Sequence, residues 1–158
     1  MTQTRMLNEE EQQAWRNFMR GQAAVRDAVN HDDVENFGLA LHEFEVLMRL
    51  AEAEKQQARM SVLATDLVHS RSRLTHTVAR LEKAGYVERF QCPADRRGIF
   101  CRLTDQGQEK IEASTADHTE ALREHFLSKL TREELLTLGE IFGKLIDAEE
   151  TEKRVCSQ

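Results

Sequence analysis

The chain is poor in the two residues that interrupt helices. One proline and seven glycines in 158 residues point to long helices joined by few turns, because proline breaks helix interiors and glycine weakens them. Its three cysteines are odd in number and scattered in spacing, which excludes a disulfide framework and the paired spacing of a structural zinc site. Reduced thiols are expected, and no metal. No stretch approaches the ~18 to 20 consecutive apolar residues that cross a bilayer, and no N-terminal run has the order of a signal peptide. A cytoplasmic protein with no membrane partner is expected. There is no phosphate-binding glycine loop, no nucleophile elbow and no His-Glu-x-x-His helix, so neither an enzyme nor a cofactor is expected. What is present, 40% apolar and 32% charged positions, suffices for a core and argues against disorder.

The net charge of −6 hides a segregation of sign. Residues 60–103 hold eight Lys/Arg against four Asp/Glu, a net of +4, which leaves the rest of the chain at −10. A basic module on an acidic scaffold is the distribution that phosphate binding requires.

Residues 7–30 carry Trp15, Phe18, Met19, Ala23, Val25 and Val29 at helical spacing, and Asn8 before three glutamates suits a helix N-terminus. Residues 31–38 read as a turn or short helical link. A second helix over 41–53 has the stripe Phe44, Leu47, Met48 and Ala51, and 55–59 reads as a polar loop. A short helix over 60–68 has Ser61 as its expected N-cap. Ser70 can cap the next helix, in which Leu74, Val78 and Leu81 recur at i, i+4 and i+7 and which Gly85 closes. Two helices joined by so tight a link form a helix-turn-helix pattern.

At 100° per residue, turning Leu74, Val78 and Leu81 inward turns Ser72, Arg73, His76, Ala79, Arg80 and Lys83 outward, with Arg71 and Thr75 on the flanks. No carboxylate is central on that face. Short polar side chains and arginines on the N-terminal half of such a helix suit a DNA major groove. After Gly85, strand formers over 86–92 and 99–103 flank a turn-forming stretch, 93–98, whose expected tip is Asp95-Arg96-Arg97-Gly98. Arg97 suits a minor groove, held in place by Asp95, and Arg96 suits phosphate. A helix-turn-helix followed by this hairpin is a winged helix. Thr104 caps a long helix expected to run to about 130, its polar middle at 112–120 spanning solvent or connecting two lobes. Thr131 to Glu134 is a capping box before a last helix with Leu135, Leu138, Ile141, Phe142, Leu145 and Ile146 on one face. The expected class is mainly α with a small β-hairpin wing.

The order of these elements, the junction Leu-Glu-Lys-Ala-Gly-Tyr-Val-Glu-Arg, the Asp-Arg-Arg-Gly wing and Leu-Thr-Asp-Gln-Gly together resemble the MarR family of bacterial transcription regulators. Residues 70–107 carry the specific part of the likeness, and the flanking helices match in order and length. The resemblance implies a single chain with dimerisation helices at 7–36 and 105–150 and a winged helix-turn-helix lobe at 39–104. It implies a homodimer that represses at a pseudo-palindromic operator in double-stranded DNA. Ser70 to His76 and Arg80 match the family's recognition helix, and Asp95 and Arg97 its wing. The apolar stripes at 15–29 and 135–146 agree with a dimer, since they exceed what a small winged helix covers.

The resemblance further implies release by a small ligand or by cysteine oxidation. For a small hydrophobic or aromatic effector, Trp15, Phe18, Met19, Phe44 and Met48 are candidate pocket residues. For oxidation, Cys92 and Cys101 flank the wing tip and come within a residue or two of facing each other if their strands pair. Cys156 sits in the tail as an incidental thiol. His118 and His125, with Asp117 and Glu124 beside them, read as surface groups that could join His42 only through tertiary contact. A helical adaptor that binds no DNA is the alternative of a different class.

Overall fold

The computed structural model describes residues 6–93 and 95–145, with Asp95, Arg96 and Arg97 as backbone only. The expected tail, Cys156 and Ile146 lie outside the described residues. Helix α1 spans Glu9–Phe37 and opens with a capping box, Asn8 Oδ1 accepting from the Glu11 amide at 2.8 Å while Glu11 Oε2 accepts from the Asn8 amide at 2.8 Å. The turn or short helical link expected at 31–38 is an unbroken continuation of α1 up to Gly38, which takes the left-handed φ of 74° that ends it. Helix survives there because tertiary partners use its polar run. Asp33 is fully buried, with His118 Nδ1 3.0 Å from both its oxygens, and Asp32 Oδ2 lies 2.7 Å from His125 Nε2. Burial pushes the Asp33 carboxyl above its usual range, and the His118 hydrogen bond opposes that push.

Helix α2 spans Leu41–Glu52 and buries Leu41, Phe44, Val46, Leu47 and Leu50. A single 3-10 turn, Glu54–Gln56, leads into strand β1, Gln57–Arg59. The stretch expected as a polar loop is thus a third strand, which pairs antiparallel with residues 100–102 and covers an edge that would otherwise expose its amides. Helix α3 spans Met60–Asp66; its N-cap is Arg59, without a side-chain hydrogen bond, so Ser61 lies inside the first turn rather than capping it. Helix α4, Arg71–Lys83, then leads to β2, Val87–Cys92, and β3, Asp95–Leu103, giving a sheet of order β1-β3-β2. Leu47, Leu50, Leu63, Leu74, Val78, Leu81 and Val87 form one core beneath these elements.

Helix α5, Asp105–His125, is capped by Thr104, whose hydroxyl accepts from the Gly107 amide at 3.0 Å. One face of its polar middle packs along α1, with Ser114 1% exposed, while Glu112, Asp117 and Glu120 stay open to solvent. Ser114 tolerates this because its hydroxyl donates back to the Lys110 carbonyl at 2.7 Å, leaving no orphaned polar atom; Thr115 beside it donates likewise to the Ile111 carbonyl at 2.7 Å. The helix also stops short of 130. Phe126 leaves helical geometry at φ −132°, a 3-10 turn follows at Leu127–Lys129, and Ser128 Oγ donates to the Glu124 carbonyl at 3.1 Å. The expected capping box opens helix α6, Arg132–Gly143. No residue of α6 is buried within this chain, and Leu136, Ile141, Phe142 and Leu145 stand open. Among the described residues no helix is long and apolar enough to cross a membrane.

Candidate nucleic-acid interface

The turn between α3 and α4 is held by the His69 amide donating to the Ala64 carbonyl at 2.9 Å, and it forces Val68 to a φ of 53°. Ser70 Oγ accepts from the Arg73 amide at 3.2 Å and so starts α4 as its N-cap. Leu74, Val78 and Leu81 are buried, as is Thr77, whose hydroxyl donates to the Arg73 carbonyl at 3.0 Å. Fixing that face inward leaves Arg71, Ser72, Arg73, Thr75, His76, Ala79, Arg80 and Lys83 exposed together. Glu82, the one acid on α4, is turned to the wing. It accepts from the Arg89 backbone amide at 2.9 Å and pairs with its guanidinium at 2.6 Å, which holds the Glu82 carboxyl below its usual range.

One contact could not be read from the helix itself. Arg80 Nε lies 3.2 Å from Oε1 of Glu43 on α2, a carboxylate whose side chain is 6% exposed, while the Arg80 side chain stays 69% exposed. Glu43 Oε2 also accepts from the Ala40 amide at 2.9 Å. The arginine is therefore tethered at Nε with its terminal nitrogens left to solvent. Behind the N-terminal half of α4, burial and then the neighbouring Arg73 push His69 down; burial likewise dominates the downward shift of His42. His69 Nδ1 is buried without a hydrogen-bond partner. Both rings favour the neutral form, so the positive field of this face comes from its arginines and Lys83.

The orientation of the wing relative to α4 is fixed at its root. The Tyr86 amide donates to the Leu81 carbonyl and the Gly85 amide to the Glu82 carbonyl, both at 3.0 Å, with Gly85 at φ 83°, a Schellman closure of the helix. Thr104 then ties this corner to α5, its amide donating to the Tyr86 carbonyl at 3.0 Å and its hydroxyl to the Gly85 carbonyl at 2.6 Å. Along the hairpin Glu88 pairs with Arg102, which lies over the Phe90 ring at 5.1 Å, and Phe90 meets Phe100 at 5.8 Å. The backbone of residues 95–98, expected as the turn, is strand, because pairing continues through a bulge at Gln91/Cys92 until Asp95 stands opposite Cys92. The expected contacts of the Asp95, Arg96 and Arg97 side chains fall outside the described groups.

That register also separates the wing cysteines. Cys101 stands opposite Arg89, three residues from Cys92, about 10 Å along the strand and beyond the ~7 Å Cα separation a disulfide bridges. Cys101 is fully buried, and burial pushes its thiol up to about 12. The expectation that the two nearly face each other fails because the bulge and the continued pairing carry Cys92 toward the tip.

The candidate effector residues are likewise divided. Phe44 and Met48 line a cleft of about 460 Å³ between α2, the end of α3 and α5, together with Glu45, Arg49, Leu67, His118 and Leu122. His118 lies against Phe44 with ring centroids 4.1 Å apart. Trp15, Phe18 and Met19 do not line it; they sit on the N-terminal half of α1, where Trp15 is 57% and Met19 41% exposed and Phe18 meets Phe142 of α6 at 5.4 Å.

A capped helix-turn-helix whose second helix passes directly into a three-stranded antiparallel sheet defines a winged-helix protein. Residues 39–99 match the MarR family. PecS, an HTH-type transcriptional regulator of Dickeya dadantii, is 31% identical over 110 residues, a match covering 69% of this chain and 66% of PecS, so the chain spans about two thirds of that relative. Sco3205, a MarR family transcriptional regulator of Streptomyces coelicolor solved in complex with DNA, superposes with a TM-score of 0.85 at 36% identity over 92% of this chain and 91% of Sco3205. AbsC, a MarR family regulator of the same organism, superposes with a TM-score of 0.82 at 35% identity over 95% of this chain and 99% of AbsC. The chain belongs to the MarR family.

Proposed function

We propose that the protein is a homodimeric transcriptional regulator that binds a pseudo-palindromic site in double-stranded DNA as a repressor and is released by a small apolar or aromatic ligand. The observation that carries the reading is the exposed face of α4. It presents Arg71, Ser72, Arg73, Thr75, His76 and Arg80 together, while Glu82 is drawn away by Arg89. Arginine can donate twice to guanine O6 and N7, and the hydroxyls permit close approach to base edges. Ser70 serves this face as its cap, and the basic wing sequence with Asp95, Arg96 and Arg97 supplies a second contact in the adjoining groove. Relatives that are transcriptional regulators, and the DNA complex of Sco3205, support the same reading.

The dimer rests on a physical problem. Leu136, Ile141 and Phe142 of α6, Leu145 just after it, and Trp15 and Met19 of α1 are all exposed in the single chain, and contiguous apolar surface of this kind marks an interface. A two-fold axis through these helices sets two α4 helices one turn of DNA apart, about 34 Å. The cleft beside Phe44 and Met48 has the size of a small-ligand site and lies between α5 and the DNA-binding elements, so an occupant there alters the spacing of the two reading helices. An oxidation switch through Cys101 is not favoured, since its thiol is buried and almost never ionised at neutral pH.

The test is selection of bound duplexes from a random pool, followed by titration in salt. A dimer neutralising ~6 to 10 phosphates loses about 10³ to 10⁵ in affinity between 50 and 200 mM salt. Recovery of a two-fold-related site with that steep dependence is the expected result. Absence of any selected duplex, or a binding constant indifferent to salt, overturns the proposal in favour of a helical adaptor.

A further inference from the structure

Asp32 on α1 and Glu124 and His125 on α5 place one ligand atom each within 4.8 Å of one another, the one such His/Asp/Glu group of three or more among the described residues. We infer that these three side chains form a binding site for one borderline divalent cation of the zinc type, bridging α1 to α5. In the sequence Glu124 and His125 are adjacent and 92 and 93 positions from Asp32, so only the antiparallel packing of α1 on α5 assembles them.

The donor set selects the ion. One imidazole with two carboxylates suits zinc, cobalt or manganese, whereas magnesium and calcium prefer oxygen alone. The geometry is close to what an ion needs. Ligand atoms at about 2.0 to 2.1 Å from a metal lie roughly 3 to 3.5 Å apart. His125 Nε2 and Asp32 Oδ2 already stand 2.7 Å apart, so a small opening of that pair admits the ion. Glu124 has the exposed, adjustable side chain that can close from the third side. Side-chain exposures of 23% for His125 and 27% for Asp32 leave an entry path and room for water in the remaining positions. Binding takes the Nε2 lone pair, so a neutral ring carries its one proton on Nδ1 when the ion is in place.

The site also has a place in the frame. Asp33, the next residue of α1, holds His118 on the wall of the cleft. A cation clamping Asp32 to α5 therefore ties α1 to the helix that forms one side of the proposed effector cleft. The binding itself does not depend on the DNA-binding proposal and is measured without DNA.

The experiment uses untagged, full-length protein treated with chelator, titrated with zinc by calorimetry and with cobalt by absorption spectroscopy. One ion per chain, visible d–d bands of a nitrogen- and oxygen-ligated cobalt, and no competition from millimolar magnesium are expected. His125→Ala and Glu124→Gln should each weaken zinc binding by about 10- to 100-fold, while Lys129→Ala should not. Glu124→Gln makes the test independent of folding, because its side chain is exposed, and melting curves of the free proteins accompany it. Unchanged affinity in Glu124→Gln and His125→Ala, equal competition by magnesium, or no bound cobalt overturns the inference.

Discussion

Gly107 offers a sharp perturbation, because a single methyl group there meets backbone that cannot yield cheaply. A Cβ built on Gly107 stands 2.1 Å from the Tyr86 carbonyl oxygen, 3.0 Å from its carbon and 2.7 Å from Leu103 Cδ1. Relief requires the Tyr86 carbonyl to retreat by about 1 Å. That carbonyl accepts from the Thr104 amide at 3.0 Å, and its residue closes α4 through Leu81, so the corner shared by α4, the wing and α5 must open. Overpacking costs about 1 to 3 kcal/mol and the weakened hydrogen bond about 1, offset by roughly 1 from alanine's helix propensity. Gly107→Ala should therefore lose about 1 to 3 kcal/mol, lowering the melting temperature by about 2 to 12 °C at fixed protein concentration. Gly38→Ala is the comparison: its Cβ meets nothing within 4 Å, so only the left-handed φ of 74° is penalised, by about 1 kcal/mol. Circular dichroism melts of the three proteins decide it. If Gly107→Ala melts with the wild type, or above Gly38→Ala, the close docking of α5 on the Tyr86 corner is wrong.

Val68→Asn should raise stability by about 0.5 to 1 kcal/mol, read as a higher urea midpoint at unchanged slope, because Val68 sits at φ 53° yet is 87% exposed and buries nothing. The carboxyl of Glu82 is held down first by its side-chain hydrogen bond with Arg89, so its stabilisation is present above the ordinary value of 4.5 and is lost as pH falls through its lower folded value. Glu82→Gln should cost about 0.5 to 1 kcal/mol at pH 7, given the partial exposure of the pair, and paired melts should show the gap closing toward pH 3. With its thiol pushed up to about 12, Cys101 is ionised to about one part in 10⁵ at pH 7. Brief iodoacetamide treatment of the native protein should leave Cys101 unmodified in a peptide map, and labelling should follow denaturation.

The parts of the fold written in local pattern were legible. Ser70, Leu74, Val78, Leu81 and Gly85 define α4 by capping, period and termination, and each acts within a turn or two of itself. The capping boxes at Asn8 and Thr131 are equally local. What sequence reasoning missed depends on a distant partner. Residues 31–37 look like a break in the helix, a turn or short helical link, until His118 and His125 arrive from α5 to satisfy Asp33 and Asp32. Residues 57–59 look like a loop until β3 offers an edge. In the candidate site, the exposed face of α4 follows from its apolar period alone. Glu43 beneath Arg80 does not, because nothing in the order of residues relates position 43 to position 80. The effector candidates share only a residue type, and packing separates Phe44 and Met48 from Trp15, Phe18 and Met19.

The central claim is that the exposed face of α4 reads base sequence, and Arg73→Ala tests it most directly. The measurement is the ratio of affinities for a selected duplex and a scrambled one at a single salt concentration, with the dimer verified by sedimentation. Loss of a bidentate base contact costs about 1 to 3 kcal/mol of discrimination, so the ratio should fall by roughly 5- to 150-fold while the dimer persists. An unchanged ratio in an intact dimer contradicts the account.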